Sequence, residues 1–178
     1  MNTTRSSRRI TAAALIAAIY AALSLALAPF SFGQVQVRVS EALTMLCVFN
    51  PAAIWGVTLG CFITNLIGVL MGANILGFVD VFTGTFATFA AAFLTYKLGS
   101  FRTKGFPLLS SIPPVILNGV IIGSELFIFL MPAAANFGVL LGLIGSVALG
   151  EVISCTIIGS LLVRTLEKTG ASKVLSEL

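Results

Sequence analysis

The chain has 178 residues, of which 58% are hydrophobic and only 9% are charged, and its mean hydropathy is +1.10. A soluble domain carries roughly a quarter charged residues, so this composition excludes a protein that covers its surface in water. It predicts an all-α integral membrane protein with a single domain over residues 1–178. The net charge of +4 then reports membrane topology, and it does not indicate nucleic-acid binding.

Apolar runs divide the chain into six segments that we predict to be transmembrane helices. The first run is longer than the apolar core of a signal peptide, which is about 7–15 residues, so we assign it as the first span. Proline-containing turns at Asn50-Pro51 and Met131-Pro132 end the second and fifth segments, and Pro113-Pro114 is predicted to kink the fifth. The six segments lie at about residues 10–28, 40–49, 52–71, 77–98, 107–130 and 136–166.

Basic residues are distributed unequally between the ends of these segments. If the N-terminus lies inside, nine Lys and Arg residues fall at inner ends and only Arg38 at an outer end. The positive-inside rule therefore predicts that both termini are cytoplasmic.

A polar stretch, residues 32–39, separates the first two apolar segments. Its valines alternate with Gln36 and Arg38, which is typical of extended backbone. From Ser40 the pattern becomes helical, and we predict Ser40 as the N-cap and Glu41 in the first turn. We interpret the stretch as a lid that faces the outside and leads into the second helix.

Acidic and amide side chains recur within the apolar segments, towards the predicted outer side. An ionised side chain at mid-bilayer costs roughly 2.5–3.5 kcal/mol, so these groups should face a cavity or one another. Arg38 is the single cation available to compensate them. The pattern predicts a polar, net-acidic cavity built from Glu41, Asp80, Glu125, Glu151, Asn65, Asn74 and Asn118.

Each of these groups also fits a role without a ligand. Asp80 could stabilise a helix N-terminus, and Glu41 could pair with Arg38. Asn65 and Asn118 could form interhelical hydrogen bonds, and the two deeper carboxyl groups could be protonated and hydrogen-bonded.

Small residues mark two kinds of packing surface. Ala14, Ala18 and Ala22 recur every four residues, a spacing that lets another helix approach closely, whether a partner protein's or one of this bundle. The glycine pairs of the later segments are predicted to pack inside the bundle: Gly56/Gly60, Gly119/Gly123 and Gly138/Gly142.

The three cysteines, Cys47, Cys61 and Cys155, lie in apolar segments of a chain without histidine. We predict that they are buried, and their spacing excludes a zinc or disulfide framework.

Several stretches, in chain order, resemble the queuosine-precursor transporter (QueT) family. They run from about Ile10 to Leu166, and the Arg-Val-Ser-Glu-Ala-Leu motif with the Phe-Asn turn is the most specific of them. The stretches are Phe32-Gly-Gln-Val-Gln-Val-Arg-Val-Ser-Glu-Ala-Leu, Val48-Phe-Asn, Leu59-Gly-Cys-Phe-Ile-Thr-Asn-Leu, Asp80-Val-Phe-Thr-Gly-Thr-Phe-Ala-Thr, Asn118-Gly, Glu125-Leu and Gly150-Glu151.

The resemblance implies a substrate-binding S component of an energy-coupling factor (ECF) transporter. Such a subunit is a six-helix bundle with an outer-facing pocket roofed by the first outer loop. It docks on a transmembrane T component that two cytoplasmic ATPases drive. The resemblance also favours the alanine stripe of the first helix as the docking surface.

The implied substrate is a 7-deazaguanine such as the aminomethyl compound preQ1. A carboxylate can accept bidentate hydrogen bonds from a guanine-like edge, and the aminomethyl cation needs a second carboxylate. We expect Glu125 and Glu151 to take these two roles, in either order. The remaining expected site residues are Asn65, Asn118 and Asp80 at the base edge, with Arg38 and Glu41 holding the lid.

Three function classes can be weighed. We expect a binding subunit without catalysis or cofactor, because the chain has no phosphate-binding loop motif. A proton-coupled carrier with Glu125 and Glu151 as relay groups is the alternative from another class, and an S component for another vitamin also remains open. A membrane enzyme is disfavoured because the chain lacks histidine, a serine paired with a base, and a metal-ligand cluster.

Overall fold

A computed structural model describes residues 3–33, 36–130 and 136–177, which are mainly helical. Within these ranges, five helices are long and apolar enough to cross a membrane. They span Ser6–Ala26, Ala52–Leu70, Phe78–Lys97, Leu109–Leu130 and Phe137–Thr169. The elements are α1 (Thr3–Ala26), α2 (Ala28–Ser31), α3 (Ala52–Leu70), α4 (Phe78–Lys97), α5 (Ile112–Leu130), α6 (Phe137–Glu151), α7 (Ser160–Thr169) and α8 (Ala171–Ser176).

The predicted second span is instead a ten-residue 3-10 helix, Val39–Val48, so the count of six long membrane helices is not confirmed. At about 2.0 Å per residue this helix is roughly 20 Å long, short of the ~30 Å hydrocarbon core. The same residues in an α-helix would reach only about 15 Å. Overwinding therefore lets a short, largely buried segment connect Arg38 to the turn at Asn50.

Helices adjacent in sequence pack side by side around this central 3-10 helix. α1 contacts α3, α3 contacts α4, α4 contacts α5, and α5 contacts α6. Two of the glycine pairs lie at these contacts, as predicted: a Cβ on Gly60 would lie 2.7 Å from the Cβ of Tyr20, and one on Gly123 would lie 2.6 Å from the Cα of Ile144. The prediction for the third pair is wrong, because a Cβ on Gly142 would have no neighbour within 4 Å.

Both described chain ends lie at one end of the bundle, which we call the basic end. Arg102 forms an ion pair of 2.9 Å with Glu167, and Arg164 donates a 3.2 Å hydrogen bond to the Gly105 carbonyl. One groove there is lined by Arg9 of α1 together with the Asn50 turn. The opposite end carries residues 36–38, which we call the strap.

Several predicted boundaries need correction. Ser40 is not an N-cap: Arg38 occupies that position, and the Ser40 hydroxyl lies 2.5 Å from that of Ser24. The fifth helix begins at Ile112, after a 3-10 turn, so its two prolines lie in the first turn, where their missing N–H groups cost nothing. The predicted closure at Met131-Pro132, and residues 34–35 of the lid, lie outside the described residues.

The final membrane helix, Phe137–Thr169, changes its winding partway along. Val152–Gly159 is a π-helix between α6 and α7, and it packs against the 3-10 helix. A Cβ on Gly159 would lie 2.5 Å from Cγ of Met45 and 3.1 Å from the Ala42 carbonyl oxygen, so the two helices touch closely. An overwound and an underwound helix thus meet at the centre of the bundle.

Candidate functional site

A polar cavity lies under the strap, between the 3-10 helix, α4, α5 and α6. Its volume is about 10 Å³, enough for about one water molecule. Gly84, Ile122 and Val147 form its apolar lining. The polar lining residues are Gln36, Arg38, Glu41, Thr88, Asn118 and Glu151, which include four of the seven predicted ligand-site residues.

Glu41, at the start of the 3-10 helix, is held by three hydroxyl groups. Tyr20 of α1 donates to Oε1, Thr88 of α4 donates to Oε1 at 3.0 Å, and Thr44 donates to Oε2 at 2.9 Å. These donors replace the water that a carboxylate loses on burial. Among the described residues Glu41 forms no ion pair with Arg38, so the pairing considered from the sequence is not made.

Glu151 lies on the opposite side of the cavity, at the point where α6 becomes the π-helix. Asn118 of α5 donates to Oε1 at 2.8 Å, and Cys155 Sγ lies 3.3 Å from Oε2. The same sulfur lies 3.1 Å from the backbone oxygen of Glu41. Carboxylate oxygens of Glu41 and Glu151 and the sulfur of Cys155 all lie within 4.8 Å of one another.

Asp80 and its neighbours form a second polar group, behind Gly84. Arg38 Nη2 lies 3.8 Å from Asp80 Oδ2, to which Asn74 donates at 2.7 Å. Asn65 donates to the Asp80 backbone oxygen at 2.9 Å. Oδ1 of Asp80, which has no hydrogen-bond partner in the described part of the chain, occupies the space where a side chain on Gly84 would lie. The group therefore ties the strap, α3 and the start of α4 together.

Glu125 lies away from the cavity lining. Thr83 of α4 donates to its Oε2 at 2.6 Å, and its buried Oε1 has no hydrogen-bond partner among the described residues. Asn118, which shares a helical face with Glu125, turns to Glu151 instead. The expected pair of Glu125 and Glu151 is thus not brought together around the cavity, whereas Glu41 and Glu151 are.

Glu41, Glu151 and Cys155 are also the group in the described part of the chain that could offer three ligand atoms to a metal ion. Each of the two carboxylates has about four acceptor sites, which its hydroxyl, amide and thiol neighbours do not fill, so both can still accept hydrogen bonds from an organic cation. All three cysteines are buried and free, as predicted.

The alanine stripe lies on the outer surface of α1. Ala14, Ala18 and Ala22 are exposed in the isolated chain, whereas Ala17 is 2% exposed and faces the bundle. These three alanines are therefore not buried by packing within this chain.

Several groups that shape the cavity are not among the residues predicted from the sequence. Asp80, Gly84 and Thr88 recur every four residues on one face of α4, so the helical period could have indicated Gly84 and Thr88. Tyr20 had no such signal, because its partner Glu41 lies on another element.

Comparison with known protein sequences identifies a transporter family. The profile of a family described as "QueT transporter" matches residues 10–168. A relative, the Queuosine precursor transporter QueT of Lactococcus lactis subsp. cremoris (strain MG1363), is 36% identical over 77 residues. That alignment covers 42% of this chain and 41% of the relative, so the chain matches less than half of the relative's length. No solved structure matches the chain at a significant level. With its apolar helices and a family match over most of its length, this multi-pass protein of the cell membrane belongs to the QueT transporter family.

Proposed function

We propose that this protein is the substrate-binding S component of an ECF transporter and that it captures a cationic 7-deazaguanine, such as preQ1, from outside the cell. The relative's name supports a queuosine precursor as the substrate class. The cavity residues support the finer assignment to the aminomethyl compound.

One observation carries the proposal: two buried carboxylates, Glu41 and Glu151, face one small cavity with oxygens within 4.8 Å of each other. Two like charges at this distance in a membrane interior repel each other strongly. A primary ammonium between them would convert that repulsion into two charge-assisted hydrogen bonds. Glu41 thereby takes the role that the sequence analysis expected of Glu125.

The other lining groups suit the neutral part of the ligand. Asn118 offers an amide beside Glu151, and the unpartnered Oδ1 of Asp80 offers an acceptor next to Gly84. Ile122 and Val147 provide apolar contact for a flat ring. Asn65 positions Asp80, Arg38 holds the strap to α4, and Glu125 supports the contact between α4 and α5.

A cavity of about 10 Å³ cannot hold a bicyclic base, so binding requires movement of its walls. The strap has only three residues and is the part of the cavity lining that belongs to no helix. We therefore expect the strap to move when a ligand binds. On the positive-inside rule the basic end and both termini are cytoplasmic, and the strap then opens to the outside.

Energy for uptake would come from partner subunits, because the chain has no phosphate-binding loop motif. The T component would dock on the exposed stripe Ala14, Ala18 and Ala22, whose small side chains allow close helix approach. Two ATPases would act through that component from the cytoplasmic side.

Calorimetry on the purified chain tests the ligand assignment. preQ1 should bind, thiamine and riboflavin should not, and the neutral nitrile preQ0 and the larger queuine should bind more weakly. Glu151→Gln should weaken preQ1 binding at least tenfold, because it removes one of two charge-assisted bonds of about 1.5–3 kcal/mol each, and should affect preQ0 far less. Equal losses for both ligands would show that Glu151 does not meet the cation.

Uptake into proteoliposomes separates the two transport classes. An S component should deliver preQ1 only when the T component, the ATPases and ATP are present. Uptake by the isolated chain under a pH gradient would instead establish the proton-coupled carrier.

A further inference from the structure

We propose that Gly150 is a positioning residue: because it has no side chain, the strap can close over Glu151, and this closure sets how long a ligand stays bound. The inference rests on the proposed function, because it assigns the closed strap to ligand retention.

The backbone of the strap packs closely against α6 at Gly150. A Cβ built on Gly150 would overlap the backbone oxygen of Gln36, lie 2.9 Å from the carbonyl carbon of Gln36, and lie 3.4 Å from Cα of Val37. Every residue other than glycine would therefore push the strap away from α6. The contact involves backbone atoms on the strap side, which cannot move aside as a flexible side chain can.

The strap also has contacts on its opposite side, and a displacement away from α6 would disturb them. Val37 N–H donates to the Phe30 carbonyl at 3.0 Å, and Arg38 contacts the Ser31 carbonyl at 3.4 Å and Asp80 at 3.8 Å. The Arg38 guanidinium lies 5.5 Å from the centroid of the Phe32 ring. A side chain at position 150 would displace the strap and break some of these contacts, and the displaced strap would no longer cover the cavity.

Gly150 immediately precedes Glu151, so the contact lies beside the carboxylate that we assign to the cation. Gln36, Arg38 and Glu151 all line the cavity, so lifting the strap exposes the cavity directly. With a closed cavity of only about 10 Å³, a bound base leaves only after this roof has moved.

The test compares Gly150→Ala with Gly145→Ala, its matched control. Gly145 lies on the same helix, and a Cβ there would meet no atom within 4 Å. Dissociation of radiolabelled preQ1 should be about tenfold faster from Gly150→Ala, as expected for a steric conflict of ordinary size, and unchanged in the control. Equal dissociation rates in the two variants would overturn the inference.

A second readout reports the strap itself. We introduce Val37→Cys into both variants and label it with a maleimide. Labelling should be faster in the Gly150→Ala background than in the Gly145→Ala background. The native cysteines are buried and should contribute little to the labelling. Faster dissociation without faster labelling would place the effect elsewhere and reject the strap contact. If Gly150→Ala does not fold, Val37→Cys in the otherwise unchanged chain tests the closure of the strap: saturating preQ1 should slow its labelling, and unchanged labelling would overturn the inference.

The two proposals fail differently. A wild-type chain that binds no queuosine precursor would reject the proposed function, while equal labelling of Val37→Cys in the Gly150→Ala and Gly145→Ala backgrounds would reject the closure of the strap on Gly150.

Discussion

The Glu41 carboxylate connects three elements through hydroxyl donors. Tyr20 belongs to α1, Thr88 to α4, and Thr44 to the 3-10 helix itself. A buried carboxylate without such donors would cost several kcal/mol, so the three hydroxyls allow the 3-10 helix to place an acid beside the cavity. Glu41 therefore has both a structural and a ligand-binding role in our proposal.

Removing one of these donors should destabilise the bundle. Tyr20→Phe is expected to lower the free energy of unfolding by about 1–3 kcal/mol, because the buried Oε1 of Glu41 loses one of its two hydroxyl donors. Tyr96→Phe is the control, since Tyr96 is 37% exposed whereas Tyr20 is 0% exposed. Thermal melting in detergent measures both, and equal melting temperatures for the two variants would contradict the role of Tyr20.

At the scale of the elements, the meeting of a 3-10 helix with a π-helix determines the shape of the site. Runs of 3-10 helix longer than 3–4 residues are uncommon and π segments are rare, and both recur at functional sites. Here the 3-10 helix contains Glu41, and Glu151 immediately precedes the π-helix. Cys155 of the π-helix contacts the backbone of Glu41, so the π-helix and the 3-10 helix are in direct contact beside the cavity.

The contact between these helices depends on Gly159. Gly159→Ala should cost about 1–3 kcal/mol of stability, because the new Cβ would lie 2.5 Å from Cγ of Met45. Gly142→Ala, where a Cβ meets nothing within 4 Å, should instead be neutral or stabilise by up to about 1 kcal/mol. The denaturation midpoints of the two variants are compared. An unchanged midpoint for Gly159→Ala would contradict the prediction, because it would show that the two helices can move apart without loss of stability.

At the scale of the whole molecule, the two ends of the bundle differ in chemistry. The basic end carries exposed ions such as the Arg102–Glu167 pair, whereas the strap end buries its acids around a cavity. The exposed face of α1, with Ala14 and Ala18, extends between these ends. A subunit with this arrangement can take ligand at one end while a partner binds along its side.

The docking proposal predicts a separation of assembly from binding. Ala18→Trp should prevent co-purification with the T component, because a large side chain blocks close helix approach, and should leave preQ1 affinity unchanged. Val120→Trp is the control, since Val120 is exposed on α5, away from the stripe. Co-purification of an intact complex with Ala18→Trp would rule out this face.

The sequence by itself determined the membrane class, most helix positions and the inward-facing polar residues. In a bilayer, composition and apolar run length report the surrounding solvent directly, and a buried charge needs a partner or a cavity. This is why α3 and α4 end within a residue of their predicted bounds, and why Glu41, Asn118 and Glu151 meet at one cavity.

Only the tertiary structure decided which acids face each other. From the sequence we expect Glu125 and Glu151 to bind the substrate together. Helical periodicity relates residues within one helix and carries no information about the rotation of one helix relative to another, so it does not test that pairing. The 3-10 and π windings turn Glu41 and Glu151 towards each other, and Glu125 is directed to Thr83. Winding of this kind arises from packing between elements, so the local pattern of a single segment does not reveal it.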